Sequence, residues 1–80
     1  MKIPRDISGA ELAGRLKVLG YAETRQSGSH LRLTTPENGE HHVTIPLHNP
    51  LKIGTLANIL NDITNHFDMS REELLKKIKL

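Results

Sequence analysis

His30 is the residue of this chain that most readily does chemistry. It follows Gly28-Ser29 in the stretch RQSGSHLRL and opens a run in which Leu31 and Leu33 alternate with Arg32 and Thr34. There is no cysteine, so the other chemical handles are hydroxyls, amides and charges. An imidazole, with an ordinary pKa of about 6.5, can give or take a proton near neutral pH. Arg32 lies two residues along the same run, so on a strand it projects to the same face roughly 7 Å away. The pair is therefore equipped for proton transfer beside a fixed cation. The plainer account of the same residues is a solvated histidine and a solvated arginine at a hairpin.

Other constellations carry less. His41-His42, with His48 nearby, brings a metal to mind, but adjacent residues on a strand face opposite sides and cannot easily hold one ion. Without cysteine, and without a His-x-His or His-x₃-His pair on one face, no zinc set is complete. Neither a metal nor a cofactor is expected. The chain has no phosphate-cradling glycine loop, no nucleophile elbow and no paired-carboxylate site. Gly54-Thr55 reads most simply as a helix cap.

The elements that must position His30 follow from pattern. Ser8-Gly-Ala-Glu11 is a capping box, with Ile7 and Leu12 placed for a hydrophobic staple. Leu12, Ala13, Leu16 and Leu19 then keep a helical period, and Gly20 supplies a left-handed stop. YAETRQ reads as a modest strand and Ser27-Gly28 as a tight reversal. HLRLT places Leu31 and Leu33 on one face, with His30, Arg32 and Thr34 on the other. TPENGE is a turn, and HHVTIPL repeats the alternation, with Val43 and Ile45 inward and His42 and Thr44 outward. Pro46 cannot donate to a ladder, so this strand ends there or lies at an edge. Ile53, Leu56, Ala57, Leu60, Ile63 and Phe67 form a stripe at helical spacing. A second capping box, Ser70-Arg-Glu-Glu73, opens a last helix with Leu74, Leu75 and Ile78, and Lys76, Lys77 and Lys79 suit its C-terminal dipole.

The predicted order is helix, three strands, helix, short helix. One aliphatic sheet face and two amphipathic helices are satisfied together by an α+β two-layer sandwich with a three-stranded antiparallel sheet. Residues 1–80 are expected to form one domain around one core. If the helices cover Leu31, Leu33, Val43 and Ile45, then His30 and Arg32 stand on the open face, next to water.

Composition bounds the function. A formal net charge of +2 permits an anionic partner without demanding one. The absence of cysteine excludes disulfide scaffolds and thiolate metal sites. MKIPRDISGAEL is polar and lacks the apolar run of a signal peptide, and no apolar run approaches the roughly 20 residues that span a bilayer. The expectation is a cytoplasmic domain with no membrane partner.

Several strings, in order, resemble one family. SGAELAGRLKVLGY is similar to its opening helix and glycine–aromatic exit, RQSGSH to its Gly-Ser-His hairpin, HHVTIPLHNPLKIGTLANIL to its strand, Pro-x-His and Leu-Lys-x-Gly-Thr-Leu segment, and MSREELL to its final helix. The family is the HicA-like toxins, messenger-RNA interferases of bacterial and archaeal toxin–antitoxin pairs. The likeness runs from about Ser8 to Leu75. It implies a double-stranded-RNA-binding-domain-like fold, an endoribonuclease that cleaves mRNA with His30 as its catalytic residue, and a HicB-type antitoxin that covers the active face. The chain departs from the family in carrying Leu31-Arg32-Leu33 after the histidine, where an aromatic or second polar residue is frequent, so no ring stands ready to stack on a base.

Such a reaction suits a bare site. A base takes the proton from a ribose 2′-hydroxyl, which attacks the adjacent phosphate, and an acid protonates the leaving 5′-oxygen. A positioned acid or base contributes on the order of 10²–10⁴-fold, enough for a slow nuclease. Arg32 can hold a phosphate oxygen through a forked hydrogen bond, and Gly28 and Ser29 let RNA approach the backbone. His48, at the family's Pro-x-His position, borders the site, either against RNA or bracing its loop. Two other readings use the same scaffold: a non-catalytic double-stranded-RNA-binding module, and a degenerate toxin homologue kept as a binding partner. Against the first, duplex readers usually display a basic cluster, and here the cations are scattered apart from Lys76, Lys77 and Lys79.

Overall fold

The computed structural model describes residues 5–80; residues 1–4, part of the polar segment read above as lacking a signal peptide, lie outside it. Ser8 takes an extended conformation and its Oγ accepts from the Glu11 amide at 3.0 Å, which starts helix α1 (Gly9–Arg15). The reciprocal arm of the capping box goes elsewhere: the Glu11 carboxylate meets Arg15 Nη2 at 3.5 Å. The last turn tightens into a 3₁₀ turn, Leu16–Leu19, closed by Gly20 at φ 85°.

Strands β1 (Ala22–Ser27), β2 (His30–Thr35) and β3 (His41–Pro46) form an antiparallel sheet in that order. Alternation in β2 and β3 puts Leu31, Leu33, Val43 and Ile45 at 4 % exposure or less, while His30, Arg32, His42 and Thr44 stay exposed. Pro46 closes β3 at one edge of the sheet. Every residue of β1 is exposed: the helices pack on β3, and the core they close reaches β2 through Leu31 and Leu33 but takes in no residue of β1.

Helix α2 (Ile53–Phe67) buries Leu56, Ile59, Leu60 and Ile63. The expected stripe is thus rotated. Ile53 is 40 % exposed and Ile59 takes a core position. At that end of the helix the core is filled instead by Leu51, whose amide donates to the Ile7 carbonyl at 2.8 Å. Lys52 is the N-cap and makes no side-chain bond there, so Gly54-Thr55 lies in the first turn rather than capping it. Ser70 caps helix α3 (Arg71–Ile78) through its Oγ and the Glu73 amide, 3.1 Å, and Leu74, Leu75 and Ile78 complete the core. The result is the expected α+β sandwich, with helices on one side of the sheet and the other side open.

Candidate active site

The hairpin between β1 and β2 sets His30. Ser27 pairs with His30, leaving Gly28-Ser29 as a two-residue loop. Such a loop follows the twist of its strands only with positive φ at its first central residue, and Gly28 has φ 58°. A Cβ added there would meet nothing within 4 Å, so the space beside this backbone is open. The Ser29 carbonyl accepts from the Leu47 amide at 2.6 Å, which extends the β2–β3 pairing past Pro46 and brings the backbone of His48 alongside the loop. The His48 carbonyl in turn accepts from the Gly9 amide at 2.9 Å, so the start of α1 pins this segment.

His30 is exposed, with Ser27 opposite on one side and Pro46 on the other. The next row of the same face holds Arg32, between Arg25 of β1 and Thr44 of β3. All three are exposed. The row beyond carries a string of polar contacts: Glu40 Oε2 lies 2.9 Å from His42 Nε2, and hydrogen bonds join His42 Nδ1 to Thr34 Oγ1 at 2.7 Å and Thr34 Oγ1 to Thr24 Oγ1 at 3.1 Å. The carboxylate on this face is therefore committed to His42, four residues along from the His30 row. Among the described residues no side chain hydrogen-bonds to the imidazole of His30 or His48, or to the guanidinium of Arg32.

The residues singled out from sequence thus fall into one region. His30 and Arg32 share a face, Gly28 and Ser29 form the adjoining loop, and the His48 backbone lies beside it. The basic residues of α3 belong to the opposite layer. His41 and His42 face opposite sides, as their adjacency demands: His42 lies on the open face, and His41 turns toward the helices. There the Tyr21 hydroxyl meets His41 Nδ1 at 2.6 Å, His41 Nε2 lies 3.3 Å from Asp62 Oδ1, and the His66 ring stacks on His41 with centroids 4.3 Å apart. Burial first, and then the negative charge of Asp62, push the Tyr21 hydroxyl well above the ordinary tyrosine value. His66 Nε2 reaches the Glu37 carbonyl at 2.9 Å, and Asn38 Nδ2 donates to the His66 carbonyl at 2.8 Å. This network ties the β2–β3 loop to α2.

Among the described residues no three of the His, Cys, Asp and Glu side chains gather as a metal-binding group. A concavity of about 220 Å³ bounded by Val18, Leu19, Glu37, Phe67, Met69 and Lys77 contains no histidine, and lies apart from the open face. No described helix is long and apolar enough to cross a membrane.

A family model described as "HicA toxin of bacterial toxin-antitoxin" matches residues 9–64. The chain belongs to the HicA toxin family. The matched span holds α1, the whole sheet and most of α2, and so every candidate residue on the open face. Membership makes the chain a toxin of a toxin–antitoxin pair, with an antitoxin as its partner. No curated protein and no solved structure matches the chain. Sequence reading missed Arg25 as a member of this HicA face. All of β1 is solvent-exposed, so no apolar alternation marks which side each of its residues takes.

Proposed function

We propose that this HicA toxin is an endoribonuclease that cleaves mRNA in the cytoplasm, using His30 as general acid/base and no metal. The observation that carries the reading is an exposed imidazole on the uncovered sheet face, beside a glycine turn with open space around it and one row from Arg32. The nucleophile comes from the substrate. His30 takes the proton of a ribose 2′-hydroxyl, O2′ forms a bond to phosphorus, and the P–O5′ bond breaks. A proton returned by the imidazolium or by water completes the 5′-hydroxyl, and the other fragment ends in a 2′,3′-cyclic phosphate. Arg32 holds a non-bridging phosphate oxygen and offsets the charge that builds there. The Gly28-Ser29 loop and His48 border the strand as it passes. A HicB-type antitoxin covering this face would exclude RNA and neutralise the toxin.

The experiment compares inducible wild type with His30→Ala at equal cellular abundance. Wild type is expected to arrest growth and fragment mRNA, with cleavage by purified protein persisting in a chelator, and His30→Ala to do neither. Equal toxicity of the two would refute the role of His30. Duplex binding by wild type with no cleavage on long incubation would replace the nuclease by the binding module.

A further inference from the structure

We propose that Arg25 and Arg32 form a two-guanidinium clamp for the phosphodiester backbone, with Arg25 brought to the open face by the bulge in β1. The proposal rests on the RNA-cleaving reading and deepens it.

The register carries the argument. Glu23 pairs with Leu33, which faces the core, and the next pair is Arg25 with Arg32; Thr24 is skipped. Strict alternation from Glu23 would set Thr24 opposite Arg32 and turn Arg25 to the other side of the sheet. The extra residue re-aims the strand, a use of bulges that recurs beside functional sites. It is also fastened. The Thr24 hydroxyl lies 3.1 Å from Thr34 Oγ1 and 3.4 Å from the Arg32 carbonyl, which it can reach as a donor.

Two guanidiniums directly opposite one another have Cβ atoms about 4.5–5.5 Å apart, an arrangement that costs stability for like charges. Among the described residues no carboxylate pairs with either to offset it. The salt bridges among the described residues join Glu11 to Arg15, Asp62 to His41 and Glu40 to His42. Both Arg25 and Arg32 are exposed and neither has a carboxylate partner. A sheet that spends a bulge to bring two cations together without an anion is complete when a partner supplies the anion. The planar forks suit phosphate oxygens, and their row lies roughly 7 Å along the strands from the His30 row, within reach of long arginine side chains, so both can hold the phosphate at which His30 acts.

The test uses full-length protein and a fluorescein-labelled single-stranded RNA with 2′-O-methyl groups throughout, which cannot be cleaved by 2′-hydroxyl attack. Anisotropy titrations over a range of KCl compare wild type, Arg25→Gln, Arg32→Gln and Arg25→Lys, with Lys76→Gln on α3 as the charge control. Loss of either arginine should weaken binding roughly tenfold and reduce the slope of log K against log[salt] by about 0.7. Arg25→Lys should recover the slope but not the full affinity, because it keeps the charge and loses the fork. Arg25→Gln should melt no lower than wild type, since it removes a repulsion. Wild-type-like affinity and slope in Arg25→Gln would overturn the clamp and leave the nuclease reading standing. If wild type fails to bind the RNA, that reading falls, and the clamp is judged by inorganic pyrophosphate titrated into labelled protein. Joint, saturable shifts of the Arg25 and Arg32 guanidinium resonances support it, and their absence overturns it.

Discussion

Replacing Gly9 by alanine sets local preference against packing, and the two predict opposite signs. In a helix interior alanine is favoured over glycine by up to about 1 kcal/mol. At position 9 an added Cβ would lie 2.0 Å from the Pro46 carbonyl oxygen, 3.0 Å from the Pro46 carbonyl carbon and 3.2 Å from Ile45 Cγ2. The first two are backbone atoms of a residue paired with His30, and the neighbouring His48 carbonyl holds the Gly9 amide at 2.9 Å. No flexible side chain is available to yield. Helix α1 and the end of β3 must separate by roughly 1 Å, and overpacking of that kind costs about 1–3 kcal/mol in a close-packed interior. Position 9 is the first residue of α1, so only part of that interior propensity gain applies; the net loss is about 1–2 kcal/mol, or on the order of 5–15 °C in Tm for a domain of this size. The assay is thermal and urea unfolding by circular dichroism, with His30→Ala in both proteins so that each can be expressed. Amide shifts of Ser29 and of the substituted position 30 should move as well, because the displaced segment pairs with them. A midpoint equal to or above that of the Gly9 parent would refute the close-contact argument.

Three further outcomes are expected. Thr35 is fully buried, its hydroxyl donating to the Leu19 carbonyl at 2.7 Å and accepting from the Glu37 amide at 3.1 Å; Thr35→Val keeps the shape, strands both partners and should lose about 2 kcal/mol in urea unfolding, with a loss near zero counting against the assignment. Tyr21 is raised in the folded state, so the fold holds its proton more tightly than the unfolded chain does. That contribution to stability is complete below the ordinary tyrosine pKa of about 10 and declines above it, by at most about 1.4 kcal/mol per pH unit; denaturant midpoints should fall less steeply above pH 10 in Tyr21→Phe than in wild type, and parallel curves would refute it. Ser8→Ala and Ser70→Ala each remove a cap bond and should cost about 1 kcal/mol apiece in the same unfolding assay, with nearly additive effects in the double variant.

The parts of this fold that could be read from sequence are those with a one-sided apolar pattern. HLRLT and HHVTIPL alternate because β2 and β3 bury one face only, and that alternation assigns His30, Arg32, His42 and Thr44 to the other. The caps at Ser8 and Ser70 are local chemistry and equally legible. Ile53 and Ile59 are both isoleucines within a periodic run, and what separates them is tertiary: Leu51 fills the core position that the period assigns to Ile53. In β1 no residue is buried, so the bulge at Thr24 and the pairing of Arg25 with Arg32 leave no trace in hydropathy. The contact of Tyr21 with His41 joins residues twenty apart and depends on how the hairpin packs on α2. The chemical role proposed for His30 rests on family resemblance, for alternation gives its face and not its task.

The uncovered sheet face also bears on how such a toxin can be lost. His30, Arg25, Arg32 and Thr44 are exposed and add little to the core, which is built from the other side of the same strands. Under the proposed mechanism, a substitution of His30 alone disarms the protein without unfolding it, and a disarmed chain that keeps the rest of the face is a folded competitor for the antitoxin. Damage on the helical side acts in the opposite way, removing toxin and decoy together. Escape from toxicity has two routes in this fold, and they leave the antitoxin with different amounts of work to do.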